Sequence, residues 1–186
     1  MALGAGRRSR RRAGGCGPGA DQRADGIKPA VQTVEPGMND QILEQLVSSQ
    51  QLVIAMLRVS TEDPSARVGA WDLRDIAAHL AASERDCYVP RIRAIAAGEN
   101  PTFELFTNDD TDFSGIHLEE ALDEWTATRL MLIGYVRTLD ERQRTELAGH
   151  HEQYGRVTVE RYLEIALKHD RDHLRGLERL AGQLTR

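Results

Sequence analysis

The amino-acid sequence predicts an all-α protein, a four-helix bundle. Four stretches carry apolar residues in alternating steps of three and four, as helices do when they bury one stripe at shallow crossing angles. Arg, Ala and Leu are the commonest residues of a chain that is only 5% aromatic and also rich in Glu, a composition that favours helix. No strand-like alternation of useful length interrupts the pattern. The 186 residues suffice for one domain with a real core, or for one domain and a tail.

The first helix is expected from about Met38 to Arg58, with Leu43, Leu46, Val53 and Leu57 on its seam and Gln50 on the missing beat. The second enters at Asp72, whose side chain caps while Asp75 stands three residues on. Its seam is Leu73, Ile76, Leu80, Ser83 and Cys87, and Gly98 and Pro101 stop it after about Ala97. Pro90 falls inside this stretch, so a kink or break is expected there. The third helix runs from about Leu118 to Leu139 on Leu118, Leu122, Trp125, Arg129, Leu132 and Val136. The fourth starts near Thr158, a good N-cap, and its seam is Val159, Tyr162, Ala166, His169, His173, Gly176 and Leu180.

The connecting segments, about 13 to 20 residues, exceed those of a simple up-down bundle, so at least one crossover connection is expected. In the longest, residues 98–117, Asp110, Asp112, Ser114 and Gly115 fit the early positions of an EF-hand loop. Ala121 then falls where a bidentate Glu is required, so the segment reads as a solvated loop.

Charge excludes several functions. Residues 1–37 carry a net +4, which leaves −9 for residues 38–186 within a total of −5. So acidic a domain has no footprint for nucleic acid. The cluster Arg7, Arg8, Arg10, Arg11 and Arg12 lies among glycines, a disordered, low-complexity composition, and no apolar stretch follows it to make an export signal. Residues 1–37 therefore read as an inert basic tail, with Met38 a candidate natural start. No apolar run is long enough for a membrane span. Cys16 and Cys87 have nothing in common, so a reducing, cytoplasmic setting is expected.

The chemistry lies in polar residues that interrupt the stripes. His169 and His173 stand at i and i+4, so both imidazoles leave one face of one helix. Chance supplies only about 0.2 such pairs in a chain with six histidines. Both fall on the inward seam, where an unpaired imidazole is costly and a divalent metal such as Zn, Ni or Fe removes the cost. Hydrogen bonds to neighbours are the other reading. His79, on the edge of the second helix's apolar face, would complete three ligands and leave an open position, the catalytic type of site. Asp75 is a candidate to orient His79, or simply the cap.

Trp71-Asp72-Leu73-Arg74-Asp75-Ile76-Ala77-Ala78-His79-Leu80 resembles the tryptophan-led, histidine-bearing second helix of the DinB/YfiT-like superfamily. His169-Asp170-Arg171-Asp172-His173-Leu174, preceded by Gly155-Arg156-Val157-Thr158-Val159, resembles its last helix. The resemblance spans most of residues 38–186. It implies a bundle, often a homodimer, with a divalent metal on three histidines, at positions His79, His169 and His173 here. Relatives of this kind include S-transferases that use bacillithiol or mycothiol and a mycothiol-dependent isomerase, while others are metal-dependent hydrolase candidates. The expected activity is thus transfer of a low-molecular-weight thiol to a small-molecule electrophile. The alternatives are hydrolysis by metal-bound water and a non-catalytic dimeric binding or stress-response bundle.

Arg129 replaces an apolar residue on the third seam and needs an anion, supplied either by a carboxylate of the fold or by substrate, where it would stabilise developing charge. Gln50 is a candidate partner of a metal-bound water, or a side chain that snorkels. Cys87 reads as a packed small hydrophobe. His117, His150 and His151 read as solvated loop residues, and Tyr88 and Tyr162 as lining or filling the cavity.

Overall fold

The computed structural model describes residues 38–60 and 66–184; the expected basic tail lies outside the described residues. Helices α1 (Met38–Ser60), α4 (Leu118–Arg137) and α6 (Val159–Leu184) follow three of the expected stripes. The fourth stripe is one helical path in three parts: α2 (Leu73–Ala82), a π-helical segment (Ser83–Tyr88) and α3 (Val89–Ala96). The capping box at its start forms as its residues require, Asp72 accepting from the Asp75 N–H at 2.8 Å and Asp75 from the Asp72 N–H at 3.3 Å. Thr158 opens α6, its Oγ1 accepting from the Arg161 N–H at 3.2 Å. Each cap satisfies a backbone donor that the first helical turn leaves open.

The chain does not break at Pro90. Proline has no N–H to give, and here it sits in the first turn of α3. The turn before it widens to π geometry, the Val89 N–H reaching back to the Glu84 carbonyl. With this extra residue, Glu84 is buried in the core while Ser83, Cys87 and Tyr88 reach a cavity wall.

Short strands are present where no alternation announces them. β1 (Arg67–Val68) and β2 (Trp71–Asp72) form an antiparallel hairpin ahead of α2. β3 (Thr102–Phe103) runs parallel to β4 (Ala148–His151), which turns back as β5 (Gly155–Thr158). Elements of two to four residues are too short to show a period of two. Gly149 in β4 has no room for a side chain, since a Cβ there would lie 2.7 Å from the Pro101 carbonyl oxygen. Gly155 holds the positive φ (67°) that ends the turn into β5. A short helix, α5 (Glu141–Thr145), lies between α4 and β4.

In the bundle α1 packs most extensively on α6, and α2 on α4. The apolar core forms two clusters. One gathers Leu43, Leu46, Ile92, Leu132, Val136 and Leu163, the other Val53, Leu57, Ile76, Leu80, Leu122 and Leu177. Along every one of the four helical paths, polar residues are buried between the two clusters: Ser49 and Gln50, Ser83 and Glu84, Thr128 and Arg129, and Asp170.

Arg129 is the centre of this layer. Its Nε and one Nη donate to the Glu84 carboxylate at 2.6 Å each. The remaining N–H groups reach Asp170 at 2.9 and 3.2 Å and the Leu46 carbonyl at 2.8 Å. Ser49 adds a bond to Asp170 at 2.6 Å, and the Trp125 indole N–H one to Glu84 at 3.3 Å. Burial alone would lower the guanidinium's pKa, but the two carboxylates outweigh it and hold the pKa above its usual value. Removing one partner of a buried ion network leaves the others uncompensated. Arg129→Met is therefore expected to cost about 3–5 kcal/mol in urea unfolding, and a loss under about 1 kcal/mol would contradict this role.

Candidate metal centre

The capping box starts α2 so that His79 lies at its inner edge, two turns on, and the i, i+4 spacing of α6 brings His169 and His173 to face it. The His79 and His169 Nε2 atoms are 2.9 Å apart, those of His169 and His173 3.2 Å, and the three donor nitrogens all lie within 4.8 Å of one another. Trp71 packs against the His79 ring at 4.4 Å between centroids and stacks on His173 at 6.1 Å. Asn108 ties the long loop to this place, donating to the His79 carbonyl at 3.2 Å.

All three imidazoles are held neutral. Burial, and then the neighbouring His173, push His79 down to about 3. Burial, His173 and His79 do the same to His169, again to about 3. Burial also lowers His173, against the pull of Asp170, Asp172 and Asp109. Each neutral ring has one N–H, and the His169 Nε2 faces two other ring nitrogens. With the protons on Nδ1, three lone pairs converge, and that donor set fits a divalent cation of the Zn, Ni or Fe type. A second observation agrees: the His79 Nδ1 is buried without a hydrogen-bond partner, and Asp109 Oδ1 lies 3.8 Å from it. Ligand histidines commonly give their second N–H to such a carboxylate.

The cluster borders a cavity of about 390 Å³, within the range of small-molecule sites. His79 and His169 are in its wall, with Tyr88, Arg91, His151 and Lys168 among the other lining residues. Ring contacts lead from His169 to Tyr88 (6.1 Å), on to Tyr162 (6.5 Å) and from there to His151 (6.3 Å).

Other expected site residues are placed elsewhere. Arg129 is 1% exposed and has all five N–H groups engaged by Glu84, Asp170 and Leu46, so nothing remains to offer a substrate. Of the two readings, the salt bridge is the one present. Gln50 is buried and donates to the Trp125 carbonyl at 3.0 Å, in the polar layer. Asp75 is the cap, tied also to Arg74, and Asp109 takes the place beside His79. His151 is buried in β4 and lines the cavity rather than facing solvent. His117 and His150 are exposed. Cys87 packs in the core and its thiol is pushed up to about 11, chiefly by burial, so it stays protonated at neutral pH. Sequence reasoning missed Trp71 as a ring support, Asn108, Asp109 and Arg91. The loop residues carry no periodic signal, and Arg91 directly follows the proline that masks its helix.

Fold and site together define a four-helix bundle that presents a tri-histidine cluster to a small-molecule cavity. The chain belongs to the DinB superfamily, whose family model matches residues 64–177, the span that contains all three histidines. Among solved structures it is similar to YfiT from Bacillus subtilis, described as a probable metal-dependent hydrolase with an unusual four-helix bundle topology. That likeness has a TM-score of 0.66 at 19% identity and covers 83% of this chain and 91% of the other. No curated protein matches the chain.

Asp109→Asn is expected to weaken Zn²⁺ binding about 10- to 100-fold in competition with a chromophoric chelator. Unchanged affinity would remove Asp109 from the site.

Proposed function

We propose that this protein is a metal-dependent transferase in which His79, His169 and His173 hold a divalent cation and a low-molecular-weight thiol attacks a small-molecule electrophile. The observation that carries the reading is the convergence of three imidazole nitrogens within 4.8 Å of one another, two of them from residues in the cavity wall. A cation on those nitrogens supplies Lewis acidity, which lowers the pKa of a thiol or water bound beside it.

The surrounding residues favour a thiol over water. Of the described carboxylates that line the cavity, Glu164 is paired with Arg161 at 2.6 Å and Asp172 with Lys168 at 2.6 Å. Asp109 faces the Nδ1 side of His79, away from the three converging nitrogens. No lining carboxylate among these is free to take a proton from the open side. A thiol, with an ordinary pKa of about 8.5, needs far less help to lose its proton than water does. Its sulfur then bonds to the electrophilic carbon as the leaving group departs with its electron pair. Tyr88, whose phenol is kept protonated mainly by burial, and Cys87 supply a wall that does not compete as a nucleophile.

Hydrolysis is the second reading, favoured by the description of YfiT, whose fold this chain shares. In it water takes the thiol's place.

Elemental analysis of the purified protein is expected to find about one Zn, Ni or Fe per chain, lost in His169→Ala. Trp71 fluorescence should change as Zn²⁺ is added to metal-free protein, since the ring lies on two of the three histidines. Folded, metal-free protein that takes up neither Zn²⁺ nor Ni²⁺ would overturn the metal reading. Ester hydrolysis without thiol conjugation by loaded protein would decide for the second.

A further inference from the structure

Arginine offers five N–H donors, and a half-buried guanidinium at a cavity wall without a carboxylate partner is open to an anion. Arg91, in α3, is such a group. It donates to the Tyr162 hydroxyl at 3.0 Å and to the Glu104 carbonyl at 2.8 Å, both neutral acceptors, and its guanidinium lies 5.0 Å from the centre of the Phe103 ring. No described carboxylate forms an ion pair with it, whereas Arg161 and Lys168, also in the wall, are each neutralised by a neighbour. The two bonds and the ring fix the guanidinium while leaving donors unused.

His151 stands by the same cavity. Its Nδ1 accepts from the Gln153 N–H at 3.1 Å, so the neutral ring carries its proton on Nε2. Burial keeps that ring neutral, and the positive charge of Arg91 adds to the effect. Tyr154 and Tyr162 flank it at 4.7 and 6.3 Å between centroids. The cavity is thus polarised, with Asp109 beside the three-histidine cluster and, beyond Tyr88 and Tyr162, a guanidinium that has no carboxylate partner and a second N–H donor.

We propose that Arg91 and His151 form a subsite for a carboxylate, so that the substrate or thiol is an anionic small molecule held by its carboxylate while its reacting end lies toward His79, His169 and His173. The orientation rests on the metal-dependent reading above; the carboxylate subsite does not. An arginine fork suits a carboxylate because two parallel N–H···O bonds satisfy both oxygens.

The test is calorimetric titration of the full chain loaded with Zn²⁺, using mercaptocarboxylates of increasing chain length against mercaptoalcohols of the same lengths. At the best length the carboxylate is expected to bind about tenfold tighter or more, and Arg91→Gln to abolish that advantage while the protein stays folded and its Zn²⁺ affinity unchanged. His151→Gln, which keeps a side-chain N–H donor, should retain most of it and His151→Ala should lose part. Equal binding of carboxylate and alcohol by the unaltered protein, or an advantage that survives Arg91→Gln, would overturn the subsite. Hexanoate against hexanol on metal-free protein reads the subsite alone. A preference there in a protein that binds no Zn²⁺ would sink the metal reading and leave the subsite standing.

Discussion

Every described helical path of the bundle meets at one guanidinium. Arg129 reaches from α4 to Glu84 in the π segment, to Asp170 in α6 and to the Leu46 carbonyl in α1. Desolvating one cation and two carboxylates is expensive, and the network is tolerable only because each N–H finds an acceptor. Such a demand is directional, as apolar packing is not. Apolar stripes can slide by a turn and still bury oil, but a shifted α6 would leave Asp170 and Arg129 unpaired in the core. Because His169 directly precedes Asp170, the bond that places Asp170 also places His169. The π segment has the same double duty, with Glu84 bound to Arg129 and Ser83 beside Asn108 at 3.4 Å under the loop that pins His79.

This explains which parts of the molecule were legible in the sequence. The bundle was readable because its four stripes are long and periodic, and the caps at Asp72 and Thr158 were readable because their chemistry is local. The histidines were readable because i, i+4 spacing puts them on one face and the inward seam makes an unpaired imidazole conspicuous. Arg129 announced a buried anion by the same logic, but not which one. Glu84 lies where a π turn shifts the helical phase, and Asp170 sits one residue off the seam that carries the histidines, so neither partner follows from a 3.6-residue count. The strands are too short to alternate. His151 looked like a loop residue because the parallel pairing of β3 with β4 joins segments some fifty residues apart in sequence, which no local pattern encodes.

The two buried-facing arginines divide structure from recognition. Arg129 uses all its donors within the fold and is closed to any ligand. Arg91 is held by two neutral oxygens and an aromatic face, which position it without neutralising it. In the same way the histidines are kept neutral by burial and supported by Trp71, with their Nε2 atoms turned toward one another. A buried network sets the scaffold, and groups left electrically unfinished at the cavity wall are available for chemistry.

Anomalous diffraction at the Zn edge, from crystals of the protein loaded with Zn²⁺, tests the central claim most directly. The account predicts one peak per chain among the three histidines, at about 2.0–2.1 Å from the Nε2 atoms of His79, His169 and His173, with Arg129 still bonded to Glu84 and Asp170 behind it. No peak between those rings, or one held by other residues, would contradict it.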